Sequence, residues 1–220
     1  MTIPTLMLWL LLPPTAVNQI GAEAFARGQF IAAQRLFALA WSGLPRANVA
    51  SNLGATARRL GEWDAAERWF TTVIELRTAS LGPAHADTAI AWNNRGEARM
   101  HQGRLTEARA DLSHALAFTE LSAADRAAVL HNLGDLNRRE RQWTDAKQVL
   151  ELSLALRPSA TLTATLLATV LAEMGEVALD RARLGEAMRL CRQAVALAPA
   201  WGPARRCRER VQAVAVEVTR

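Results

Sequence analysis

Apolar residues recur along this chain at three- and four-residue intervals, in blocks broken by glycine, proline and short polar turns. That period is helical, and β-branched runs with alternating polarity are rare, so sheets are not expected. The pattern predicts helix pairs at about Val17 to Arg27 and Phe30 to Trp41, Ala47 to Leu60 and Trp63 to Thr78, and Ala84 to His101 and Leu105 to Thr119. It continues with Ala123 to Glu140 and Trp143 to Leu156, then Ala160 to Arg181 and Leu184 to Leu197. Ser122 or Asp125 is placed to start the seventh helix. A last segment, Trp201 to Val218, has no second partner and reads as a solvent-facing cap.

The pairs are copies of one unit. A glycine recurs in each first helix as Gly21, Gly54, Gly96, Gly134 and Gly175, and twelve residues later stand Ala33, Ala66, Ala108, Ala146 and Ala187. Sixteen residues after the glycine come Phe37, Phe70, Leu112, Leu150 and Cys191; nine after it come Phe30, Trp63, Leu105, Trp143 and Leu184. Fixed offsets of this kind mark a repeat array, in which each hairpin buries its apolar face against its neighbours. The turn between paired helices holds Gly28, Gly61 and Gly103, but Arg141 and Ala182 in the last two units.

These offsets, with Pro45, Pro158 and Pro199 in the closing position, resemble the tetratricopeptide repeat over about residues 17 to 200. The Leu81-Gly82-Pro83-Ala84-His85 segment resembles the kinesin-light-chain type of that repeat. Glycine spacings of 33, 42, 38 and 41 imply longer helices than the usual unit of about 34. The resemblance implies an all-α, right-handed α-solenoid of five hairpins with a C-terminal capping helix at 201–220. It is specific for fold and says little of partner.

In such an array the first helices line the concave surface. Two residues before the helix glycine stand Asn52, Asn94 and Asn132, with Gln19 and Glu173 in the outer units. Related repeats bind peptides through asparagines at this place, and a side-chain amide offers both donor and acceptor to an extended backbone. The other reading is an asparagine that only bonds a neighbouring helix. Helical spacing extends the face to Asn48, Arg58 and Arg59, to Asn93, Glu97 and His101, and to His131, Asp135, Arg138 and Arg139. The arginines would favour an acidic ligand, or else be solvated charges at helix ends. Ser51 and Ala55 stand where chaperone-binding members of the family place a clamp for a terminal carboxylate. The expected function is a non-enzymatic scaffold for a protein or peptide. The alternatives are an assembly element of a larger complex, or a basic C-terminal end that binds an anionic partner.

Charge bears on the last alternative. The chain carries +5 overall, yet residues 181 to 220 hold nine arginines against three acids, a net +6. Arg205, Arg206, Arg208 and Arg210 could attract nucleic acid, an anionic membrane or an acidic protein, or simply solvate the cap. No Tyr or Phe is interleaved there to stack on bases. Cys191 and Cys207 could form a disulfide that ties down the cap, with a small buried apolar role for Cys191 as the alternative. They make no zinc pattern, and no phosphate-cradling loop, nucleophile with a base or metal-ligand spacing accompanies His85, His101, His114 or His131. No cofactor and no catalysis are expected.

Residues Ile3 to Leu12 are an apolar run followed by Pro13-Pro14-Thr15-Ala16, too short to span a bilayer. It suits the core of a signal peptide cleaved after Ala16, although no Lys or Arg precedes it; the alternative is an apolar helix on the first hairpin. Export follows from the first reading and a cytoplasmic protein, with membrane contact through an uncleaved N-terminus, from the second.

Overall fold

The computed structural model describes residues 12–82 and 85–218. The apolar run up to residue 11, and Pro83 with Ala84 of the light-chain-like segment, lie outside the described residues. The described residues form eleven helices and no strand. They fall into two compact units, 1–120 and 121–220.

The first unit holds three hairpins: α1 (Pro14–Ala26) with α2 (Phe30–Gly43), α3 (Ala47–Leu60) with α4 (Trp63–Leu81), and α5 (Ala86–His101) with α6 (Leu105–Leu116). The second helix of each hairpin packs on the first helix of the next, α2 on α3 and α4 on α5. In the second unit α7 (Ala123–Arg139) pairs with α8 (Trp143–Leu156) and α9 (Thr161–Asp180) with α10 (Leu184–Leu197). There α8 packs on α9, and α11 (Gly202–Val218) closes against both α9 and α10. This is the all-α array of helical hairpins expected from the offsets.

Each repeated offset has a packing reason. Ala33, Ala66, Ala108, Ala146 and Ala187 are completely buried, because a methyl is all that fits where the two helices of a hairpin cross. The residue sixteen after each helix glycine sits directly on that glycine. A Cβ on Gly54 would lie 2.8 Å from Phe70 Cε1, and one on Gly134 2.5 Å from Leu150 Cδ2. In the fifth hairpin that residue is Cys191, and a second sulfur joins it. There Cys191 and Cys207 form a disulfide, with Cα atoms 5.5 Å apart, and the two sulfurs fill the space over Gly175, 2.8 and 2.9 Å from where a Cβ would stand.

The start of α7 follows its sequence signal, Ser122 Oγ accepting from Asp125 N at 3.1 Å. The turns inside the hairpins are left-handed at one residue each: φ is +76° at both Gly28 and Gly61, +77° at Gly103, +61° at Arg141 and +56° at Ala182. The last two hairpins therefore keep the turn geometry after losing the glycine, at a steric cost of about 1–2 kcal/mol per residue. Arg141→Gly and Ala182→Gly should each raise the stability of unit 121–220 by about 1 kcal/mol. Urea denaturation followed by circular dichroism would show it; a drop in midpoint for both would mean that the native side chains contribute contacts worth more than the strain.

One described helix, α9, is long and apolar enough to cross a membrane, with a mean hydropathy of 1.5. In this fold it is the central helix of its unit. Leu167, Ala168, Val170, Leu171 and Ala178 are buried in a core shared with α8, α10 and α11.

Candidate binding faces of the first helices

In unit 1–120 the face in question belongs to α1, α3 and α5. Asn52 donates from Nδ2 to Asn18 Oδ1 at 3.0 Å, which links α3 to α1. Its own side-chain carbonyl has no partner among the described residues. Asn94 accepts on Oδ1 from Asn93 Nδ2 at 3.4 Å, and its side-chain nitrogen is unpartnered among them. Both residues are half-buried. Asn52 thus braces a neighbouring helix with one end of its amide, Asn94 bonds within its own helix, and each leaves the other end of its amide open among the described residues.

Asn93 differs from expectation. It is only 7% exposed, because one residue along a helix turns the side chain by about 100°, away from the open face that Asn94 keeps. Asn48 lies exposed at the start of α3 and accepts from Val49 N at 2.9 Å.

The arginines are not the row of open cations that the sequence suggested. Arg58 on α3 meets Glu97 on α5 at 2.6 Å. Arg59 is exposed, with its guanidinium 5.0 Å from the Phe30 ring centroid. His101 is exposed and stacks on Trp63 with centroids 3.8 Å apart and planes 2° from parallel. That stack borders a wide-open recess of about 510 Å³, between the α3–α4 turn and the end of α5.

In unit 121–220 the same face belongs to α7 and α9. Arg138 reaches Asp135 at 3.0 Å and Glu173 on α9 at 3.1 Å, and Arg139 reaches Asp135 at 2.8 Å. Burial works to raise the pKa of Asp135, but the charges and hydrogen bonds of Arg139 and Arg138 outweigh it and hold the carboxyl below its usual range. Glu173 also accepts from Trp143 Nε1 at 3.1 Å. His131 Nδ1 lies 3.1 Å from Thr163 Oγ1 on α9, and Asn132 is half-buried on the face. The charged positions of both units therefore tie consecutive first helices together, and an acidic ligand would have to compete with carboxylates already in place.

A second ionic cluster was not anticipated. Asp111 on α6, 2% exposed, accepts from Arg95 Nε and Nη2 at 2.9 Å each and from Arg99 Nη1 at 3.0 Å. Arg99 also meets Glu67 on α4 at 2.9 Å, and Arg104 joins Glu67 and Glu107. Burial tends to raise Glu67, yet hydrogen bonds from Arg99, Gln102 and Arg104 leave it lowered. A signal for this cluster was present in the repeat. The residue before the helix glycine is Ile20, Leu53, Leu133 or Met174 elsewhere and Arg95 here, while the residue fifteen after it is Leu36, Trp69, Val149 or Leu190 elsewhere and Asp111 here. One hairpin has exchanged two apolar positions for an ion pair.

Among the described residues no group of three or more His, Cys, Asp or Glu is arranged to hold a metal.

Comparison with known proteins agrees with the architecture. No curated protein matches the sequence. Among solved structures, the chain superposes on the anaphase-promoting-complex hetero-tetramer Cut9–Hcn1 with a TM-score of 0.67 at 18% identity, covering 90% of this chain but only 36% of that one. It superposes on pilF of Pseudomonas aeruginosa with a TM-score of 0.62 at 21% identity, covering 90% of this chain and 88% of that one. A thermophilic tetratricopeptide repeat protein of Thermus thermophilus gives a TM-score of 0.57 at 20% identity, with 90% and 98% covered. Identities this low speak for the fold alone. The tetratricopeptide repeat family model matches residues 45–120 and 87–159, which together span more than half of the chain. With the five glycine-on-knob hairpins, that match places the chain in the tetratricopeptide repeat family.

Proposed function

We propose that this protein is a non-enzymatic scaffold that binds an extended segment of a partner protein along its first-helix faces. The family supports protein interaction in general; the observation that carries the finer reading is the half-satisfied asparagine pair. Asn52 keeps an open side-chain carbonyl and Asn94 an open amide nitrogen at equivalent positions of consecutive hairpins. An open acceptor and an open donor match the N–H and C=O of an extended backbone. Since Arg58, Arg138 and Arg139 already have carboxylate partners, recognition runs through backbone hydrogen bonds, and any preference for acidic residues rests on the exposed Arg59. The disulfide supports the export reading, because such bonds persist in oxidising compartments.

The test is a peptide array probed with the full chain, followed by titration of the selected peptide. Asn94→Ala should cost about 0.5–1.5 kcal/mol of binding, a loss of a few-fold to about tenfold, with an unchanged melting temperature. Unchanged affinity in an Asn52→Ala, Asn94→Ala and Asn132→Ala combination would refute the reading.

An assembly role is the second reading. Leu162 is 79% exposed at the start of α9 and Leu152 51% exposed on α8, apolar surface that a second copy would cover. A mass that rises with concentration would favour it.

A further inference from the structure

We propose that the outer surface formed by α10 and α11 is a second docking site, for an acidic segment of a partner protein, separate from the first-helix faces. Five arginines on these two helices have no carboxylate partner among the described residues, Arg189, Arg192, Arg205, Arg206 and Arg208, and Arg181, in the turn that leads into α10, is a sixth. Arg210, by contrast, turns to α9 and meets Glu176 and Asp180. The acids of this region do not offset the six. Glu186 is held by Arg183 at 2.8 Å, which leaves Glu209 and Glu217.

The disulfide organises the surface. Each bridged cysteine is followed by an arginine, Arg192 after Cys191 and Arg208 after Cys207. With the cysteine Cα atoms 5.5 Å apart and about 3.8 Å per residue step, the two arginine backbones cannot lie more than about 13 Å apart. Their side chains can reach a common anion. The independent observation is Arg208 Nε, a charged donor shut away from water with no acceptor. The half-buried Arg208 therefore has no countercharge of its own, and a carboxylate that docks on its guanidinium from the surface side supplies one through paired hydrogen bonds. A protein segment is favoured over nucleic acid because α10 and α11 carry no aromatic residue to offer a base a stacking surface. Trp201, just before α11, is engaged through Nε1 to Thr169 at 2.9 Å.

The probe is a short fluorescent polyglutamate peptide, titrated against the full, oxidised chain by anisotropy. The expected result is binding that weakens at least about tenfold in an Arg192→Ser, Arg205→Ser and Arg208→Gln variant, and that also weakens as salt is raised. Because Arg208 is partly buried, the pair Arg192→Ser and Arg205→Ser, both exposed, is the control that keeps the fold. It should lose part of the affinity at an unchanged melting temperature. Asn94→Ala should leave this binding intact, which separates failure here from failure at the first-helix face. Wild-type affinity in both arginine variants, loss in Asn94→Ala instead, or retention of a single-stranded oligonucleotide or a phosphatidylserine vesicle but not of polyglutamate would each overturn the proposal.

Discussion

Asp111→Ala is expected to destabilise unit 1–120 by about 3–5 kcal/mol, because it strips a buried carboxylate from two guanidinium groups. Arg95 is 9% exposed and Arg99 presents 15% of its side chain to water. Arg95 loses both ends of its fork when Asp111 goes; it keeps Thr71 Oγ1 at 3.3 Å and the Trp92 face at 4.4 Å, neither of which neutralises a charge. Arg99 keeps Glu67, so Arg95 carries most of the loss. The repeat itself supplies the control. Other hairpins place apolar residues at both positions, so an Arg95→Leu and Asp111→Leu double variant should recover most of the stability, since replacing a buried ion pair by well-packed apolar groups is often neutral or stabilising by about 1–4 kcal/mol. Urea denaturation of the two single variants and the double variant measures this. A double variant as unstable as Asp111→Ala would show that the pair is required by the surrounding Glu67, Arg99 and Arg104 cluster and not merely tolerated in the core.

That hairpin shows what could be read from the chain and what could not. The glycine, alanine and apolar offsets were legible because they encode contacts within one hairpin, and local periodicity carries such contacts directly. Gly54 under Phe70 and Gly134 under Leu150 are the physical content of those offsets. The polar face was legible in position only. Asn52 and Asn94 are half-buried, and Asn52 bonding Asn18 and Arg58 bonding Glu97 link residues more than thirty apart. Which partner a long side chain selects depends on the offset between stacked hairpins, and the uneven spacing of 33 to 42 residues between glycines hides it. The Arg95–Asp111 pair lay between these cases: both residues break the repeat at positions where the other copies are apolar, and a paired break is itself the signal of a buried contact.

Phe70→Ala should cost about 3–5 kcal/mol, the range for removing a fully buried aromatic side chain. Phe70 is 1% exposed and its ring edge lies against Gly54, so truncation opens a void between α3 and α4 with helix backbone for one wall. The converse change acts on the same contact. Gly54→Ala would set a methyl 2.8 Å from Phe70 Cε1, and the ring, packed in one buried cluster with Ala57, Ala66 and Ala98, has no flexible end to move aside. Overpacking of that kind costs about 1–3 kcal/mol, against which the better helix propensity of alanine returns up to about 1 kcal/mol. In the Phe70→Ala background the clash is gone and only the propensity gain remains, so Gly54→Ala should change from destabilising to stabilising. A double-mutant cycle by urea denaturation tests this reversal of sign, with a coupling energy of about 1–3 kcal/mol expected for groups in direct contact. Additive effects would mean that α3 and α4 shift apart to relieve the methyl, and that the glycine is set by something other than the side chain sixteen residues on. The same cycle at Gly134 and Leu150 should couple in the same sense, where the approach of 2.5 Å is closer but falls on a branched aliphatic side chain able to rotate.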